Sequence, residues 1–100
     1  MNLEFLPEAR AEFRDAVDFY EDKQSGLGKR FRAEIGEACR TIAAHPLLWR
    51  EREGGFRRVN CPVFPYYIAY FIRGDSIVIA AVAHGSRHPD YWQGRLESER

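Results

Sequence analysis

The residues best placed to do chemistry close the last apolar run of the chain. Ile77-Val78-Ile79-Ala80-Ala81-Val82-Ala83 leads into His84-Gly85-Ser86-Arg87. An imidazole titrates nearest neutral pH, so His84 is the candidate general base. Arg87 offers a planar fork that suits phosphate or carboxylate. Arg57 and Arg58 add two guanidiniums, and strand alternation sends them to opposite faces, so at most one can join a given site. Tyr91 adds a phenol. A histidine at a strand end, followed by glycine, also suits a hydrogen-bonded terminus without chemical duty, and His84 carries both readings. His45 reads as a helix-end residue and His88 as a surface residue. Cys39 and Cys61 stand alone, with no CxxC and no histidine pair at metal spacing, so neither a metal nor a cofactor is expected.

The elements that must position these groups can be read from periodicity. Leu3 to Leu6 is a short apolar stretch ended by Pro7, a first strand with Pro7 and Glu8 opening a helix. Leu6 has no side-chain acceptor and is a poor N-cap. Ala9, Phe13, Ala16, Val17 and Tyr20 recur at three- and four-residue steps, with Phe19 at the edge of the stripe. Gln24-Ser25-Gly26 breaks the pattern. Ser25 is the expected cap of a second helix, and Gly26 with Gly28 lets its first turn pack closely. Leu27, Phe31, Ile35, Ala38 and Ile42 form its apolar stripe, and His45-Pro46 ends it. Two such helices joined by a short loop make an antiparallel hairpin.

Leu47 to Gly55 reads as a loop containing Trp49. Strands are expected over Phe56 to Cys61, Tyr66 to Ile72 and Ile77 to Ala83, the last two joined by a Gly74-Asp75 turn. Their nearly unbroken apolar runs imply burial on both faces, or one face under the helices and one under a partner. Asp90-Tyr91-Trp92 is the last apolar anchor. The expected organisation is β-α-α-β-β-β. This is an α+β two-layer domain over residues 1–92, with a helical hairpin on a mainly antiparallel sheet and a polar tail at 93–100.

One hundred residues with 45% apolar and 14% aromatic side chains make one folded domain with a modest core. Net charge is zero, so no global field draws the chain to nucleic acid or to a membrane. Residues 1–45 hold 7 basic and 9 acidic side chains, and residues 46–100 hold 8 and 6, all of those bases arginine. No basic n-region opens the chain, and no apolar run approaches the roughly 20 residues of a membrane span. A soluble cytoplasmic protein with reduced thiols is expected.

Several stretches, taken in order, resemble the RelE/ParE superfamily of toxin–antitoxin toxins, specifically its ParE-like members. They are Pro7-Glu8-Ala9-Arg10-Ala11-Glu12, Gly26-Leu27-Gly28-Lys29-Arg30-Phe31, His45-Pro46, Arg57-Arg58, Phe64-Pro65-Tyr66-Tyr67-Ile68-Ala69-Tyr70 and His84-Gly85-Ser86-Arg87-His88-Pro89. The resemblance spans roughly Met1 to Trp92. It implies a growth-arresting toxin neutralised by an antitoxin encoded beside it, a ParD-like ribbon-helix-helix protein, in a heteromeric complex.

The resemblance also implies two possible targets. ParE-like members poison DNA gyrase by protein–protein contact and cut nothing themselves. RelE-like members cut mRNA on the ribosome with basic residues on the second and third strands, an arginine after the fourth, and often a tail tyrosine. On that pattern Arg58 and Arg87 match two cations, Asn60 and Tyr67 stand where two more would be, and Tyr91 lies near the tail tyrosine. The nuclease alternative would therefore use Arg58, His84, Arg87 and Tyr91. The missing cations favour the gyrase-directed reading. Aromatics at the margins, Phe19, Tyr20, Phe31 and Trp49, are the candidate antitoxin anchors, by the enrichment of aromatics in interfaces. Tyr20 and Phe31 equally suit a role in holding the helices on the sheet.

Overall fold

The computed structural model describes residues 1–99. A first strand, β1 (Asn2–Phe5), precedes helices α1 (Pro7–Lys23) and α2 (Leu27–Ala44). Strands β2 (Arg57–Asn60), β3 (Tyr66–Arg73) and β4 (Ser76–His84) follow, and helix α3 (Asp90–Ser98) closes the chain. The sheet order is β1-β4-β3-β2. β1 lies parallel to β4, and the other two pairings are antiparallel. The α+β class and the β-α-α-β-β-β order read from the sequence are those of the structure.

Pro7 stands at the start of α1, and Leu6 supplies no cap hydrogen bond. The stripe buries Ala9, Ala16, Val17 and Tyr20. The start of α2 differs from expectation. Its N-cap is Gly26, at φ 89°, and Ser25 makes no cap bond. The Glu21 carboxylate instead accepts from the Gly26 and Gly28 N–H groups at 2.8 and 3.0 Å. These bonds hold its carboxyl below the ordinary value, the Gly26 bond contributing most. A carboxylate reaching forward from the preceding helix thus satisfies donors that a local serine was expected to take. Gly28 is required by space: a Cβ there would strike the Val17 carbonyl.

The helical hairpin covers one face of the sheet. Tyr20 and Phe31 meet Phe64 and Tyr66, with ring centroids 4.7 to 6.0 Å apart. The other face is covered by α3. Trp92 stacks edge-on against Phe56 and donates its indole N–H to the Tyr67 hydroxyl at 2.7 Å. Leu96 is 3% exposed. The apolar runs of β3 and β4 are therefore buried on both faces within the chain. This corrects the expected tail: Trp92 is not the last apolar anchor, and residues 93–98 continue a helix that packs on the sheet. Arg100, the end of that segment, lies outside the described residues.

Both cysteines are free thiols, half-buried, at the seam between α2 and β2. Burial pushes both thiols up to about 11, and the Glu34 charge adds to this at Cys61. They stay protonated at neutral pH. Labelling with iodoacetamide at pH 8 is expected to be slow in the folded protein and fast once it is denatured.

Two glycines in one helix make opposite predictions. Gly36→Ala, whose Cβ would sit 3.6 Å from the Arg40 side chain, is expected to stabilise the fold by up to about 1 kcal/mol through helix propensity. Gly28→Ala is expected to cost about 2 kcal/mol or more, because backbone must move. Chemical denaturation of both variants checks the contrast.

Candidate functional site

Beside the free half of β4 lies a groove of about 330 Å³. Its wall on the α1 side carries Glu12, Asp15 and Phe19; its floor is Tyr66 and Val82. His84, Arg87 and Tyr91 close its far end. The groove exists because β1 pairs with β4 only from Ser76 to Ile79. The Leu6 N–H to Ile79 carbonyl bond, 2.9 Å, is the last backbone bond on that edge.

Beyond it, side chains take over. Glu12 of α1 accepts the Val82 N–H at 3.1 Å. Arg95 of α3 donates to the Ala80 carbonyl at 3.0 Å. The two side chains meet in a bidentate pair, with both bonds at 3.0 Å. They are 18% and 17% exposed. Helices on opposite faces of the sheet are thus tied together around the strand edge. Neither residue stood out in the sequence, where Glu12 reads as a solvated helix face and Arg95 as tail. The spacing of Trp92 and Leu96, four apart with Arg95 one short, was the available signal.

The candidate base is not free to act as one. The His84 Nδ1 accepts the Ser86 N–H at 3.0 Å and lies 2.7 Å from the Ser86 hydroxyl. With Nδ1 so occupied, the neutral ring carries its proton on Nε2 and has no open acceptor nitrogen. His84 is the hydrogen-bonded strand terminus, and its ring packs 5.1 Å from that of Tyr66. Burial and then the Glu12 charge raise the Tyr91 phenol above its ordinary value, so it holds its proton.

The cations are dispersed as well. Arg87 stacks on the Tyr91 ring at 3.7 Å. Arg58 does not line the groove. It pairs opposite Ala69 on the α3 face of the sheet, stacks on Tyr67 at 3.7 Å and donates to Asn60 Oδ1. The structure therefore brings together His84, Arg87, Tyr91 and Phe19 and leaves Arg58 outside. It also holds two carboxylates, Glu12 and Asp15, where a phosphate clamp would need cations.

The aromatic candidates separate in the same way. Phe19 is 52% exposed at the groove rim. Tyr20 at 9% and Phe31 at 0% are core residues, which withdraws them as exposed anchors in the free chain. Trp49 is half-buried at the other end of the sheet, edge-on to Tyr70, with its carbonyl accepting from Arg57 at 2.6 Å. It does not approach the groove.

Residues 3–89 match the family model described as ParE toxin of type II toxin-antitoxin system, parDE. This chain belongs to the ParE toxin family. No curated protein matches it in sequence. A solved chain described as the chromosomal ParDE TA system from P. aeruginosa is similar in fold. Its TM-score is 0.68 at 22% identity, with 84% of this chain and 95% of that one covered. The ParE match ends before α3, so Tyr91, Trp92 and Arg95 lie beyond it. As a ParE toxin the chain is one component of a type II toxin–antitoxin system. No helix among the described residues is long and apolar enough to cross a membrane.

The Glu12–Arg95 pair should be energetically central. Removing one partner of a largely buried pair strands the other, so Glu12→Ala is expected to cost about 3 kcal/mol. Denaturation of this variant, of Arg95→Ala and of the double variant should give a coupling of about 1–2 kcal/mol. Additivity within about 0.5 kcal/mol would show that the two side chains do not act as a unit.

Proposed function

We propose that this ParE toxin arrests growth by binding DNA gyrase in the cytoplasm as a protein ligand, and that it makes and breaks no covalent bond itself. The observation that carries this reading is the state of the groove. Its one imidazole has Nδ1 committed to Ser86. Its phenol, raised above its ordinary value by burial and the Glu12 charge, is a weaker acid than a free tyrosine. Its single stacked arginine faces two carboxylates. Metal-free RNA cleavage needs a base, an acid and several cations around one phosphate. The two positions where the nuclease pattern wants further cations hold Asn60, bonded to Arg58, and Tyr67, bonded to Trp92. An antitoxin encoded beside the toxin neutralises it, with exposed Phe19 an anchor for that partner.

The test sets purified gyrase and translating ribosomes side by side. With gyrase, the toxin is expected to inhibit supercoiling and trap cleaved DNA, while mRNA on ribosomes stays intact. His84→Asn should keep growth arrest within about threefold, whereas under the nuclease reading loss of a working general base would cost about 10²-fold or more in mRNA cleavage. Cut mRNA with normal supercoiling would overturn the proposal and restore the nuclease reading.

A further inference from the structure

The helical hairpin carries a second charged feature, on the solvent side of the seam between its helices. Arg10, Arg14, Val17 and Glu21 recur along α1 at three- and four-residue steps, so they share one side of it. Lys29, Arg32, Gly36 and Arg40 do the same along α2. These two sides meet. Gly28 packs against the Val17 carbonyl and the Glu21 side chain. A groove of about 520 Å³ beside that contact is lined by Val17, Asp18, Glu21, Lys29 and Arg32. Arg14 and Arg10 continue the α1 side one and two turns beyond Val17. Arg10, Arg14, Lys29 and Arg32 are exposed and have no carboxylate partner among the described residues. Arg40, further along, is paired with Glu37. Of the two carboxylates in the groove, Glu21 is committed to the Gly26 and Gly28 N–H groups, and Asp18 remains at the edge. A chain of zero net charge thus carries a local strip of cations.

We propose that this seam holds the phosphate backbone of duplex DNA without reading its sequence, and so seats the toxin against the DNA that gyrase carries. The duplex contact is a property of the seam itself; its use at gyrase rests on the reading above. Residues one turn apart stand about 6 Å apart along each helix, and packed helices lie about 8–10 Å apart. A repeated line of anions can engage both rows, whereas a lone carboxylate or small phosphate would engage one or two members. Guanidinium and ammonium groups on phosphates fix position and carry no sequence information. A single strand would need exposed aromatics for its bases to stack on. Phe19, the one exposed aromatic among the described residues, lies in the groove beside β4. The Phe5 ring is half-buried, with the Arg10 guanidinium over it at 5.6 Å. Such a contact releases counterions, so its affinity must fall steeply with salt.

The measurement is fluorescence anisotropy of a short labelled duplex of mixed sequence, titrated with the full chain between about 50 and 200 mM salt. Binding is expected to weaken with salt at a log–log slope of about −3.6, four phosphates at about −0.9 each. The double variant Arg14→Ala/Arg32→Ala should bind about tenfold or more weakly at the lowest salt and bring the slope to about −1.8. Arg50→Ala, exposed outside the seam, should change binding by less than about twofold. No binding by the wild-type chain at the lowest salt overturns the proposal, and so does an equal loss in Arg50→Ala. A single strand that binds more tightly than the duplex overturns the duplex assignment. Polyglutamate that displaces the duplex at equal charge overturns it in favour of an acidic protein surface. Supercoiling by gyrase is assayed separately with the same wild-type chain. Inhibition without duplex binding sinks the seam and leaves the gyrase reading standing; duplex binding without inhibition does the reverse.

Discussion

The Glu12 carboxylate does for the upper half of β4 what β1 does for the lower half. A central strand cannot leave its backbone donors and acceptors buried and unpaired. β1 runs out at Phe5, yet β4 continues five residues further. Two oxygens from α1 and a guanidinium from α3 fill the gap. Because those helices lie on opposite faces, one ion pair takes the Val82 N–H and the Ala80 carbonyl, fixes the depth of α1 over the strand and anchors α3. The groove is the space left over once this arrangement is in place. Its shape depends on where Glu12 must stand.

The same arrangement supports the proposed binding role of the site. A carboxylate committed to three donors is a structural group, and it sits against the phenol that a tail tyrosine would offer to chemistry. The arginines divide by face. Arg58 is stacked beside α3, and Arg87 is stacked at the groove mouth. Alternation along β2 puts Arg58 on the α3 face, beside Tyr67. Four side chains compatible with a nuclease in composition are held in two places, with the sheet between them.

Much of the fold was legible because it rests on short-range periodicity. The helix stripes, the Gly74-Asp75 turn and the break at His45-Pro46 each depend on neighbours within a few residues. Alternation predicts opposite faces for Arg57 and Arg58, and they lie there. The misses came from long-range partners. Ser25 looked like a cap because it stands next to α2, but Glu21, a turn further back, reaches the same donors. Helix α3 was hidden by its charged residues and Gly94, since only Trp92 and Leu96 mark its buried side. Phe31 and Phe19 are both aromatic. Only the packed structure decides that one fills the core and the other faces water.

The parallel pairing of β1 with β4 joins residues as far apart as Asn2 and Ser76. The helical hairpin between them is local and can form while the chain is still being made; β1 must wait for β4, the last strand made. A nascent or prematurely ended chain therefore has helices but no sheet edge, no groove and no bound α3. A chain that ends before β4 lacks the strand on which β1 pairs. The groove comes into being only when translation of the toxin is all but complete.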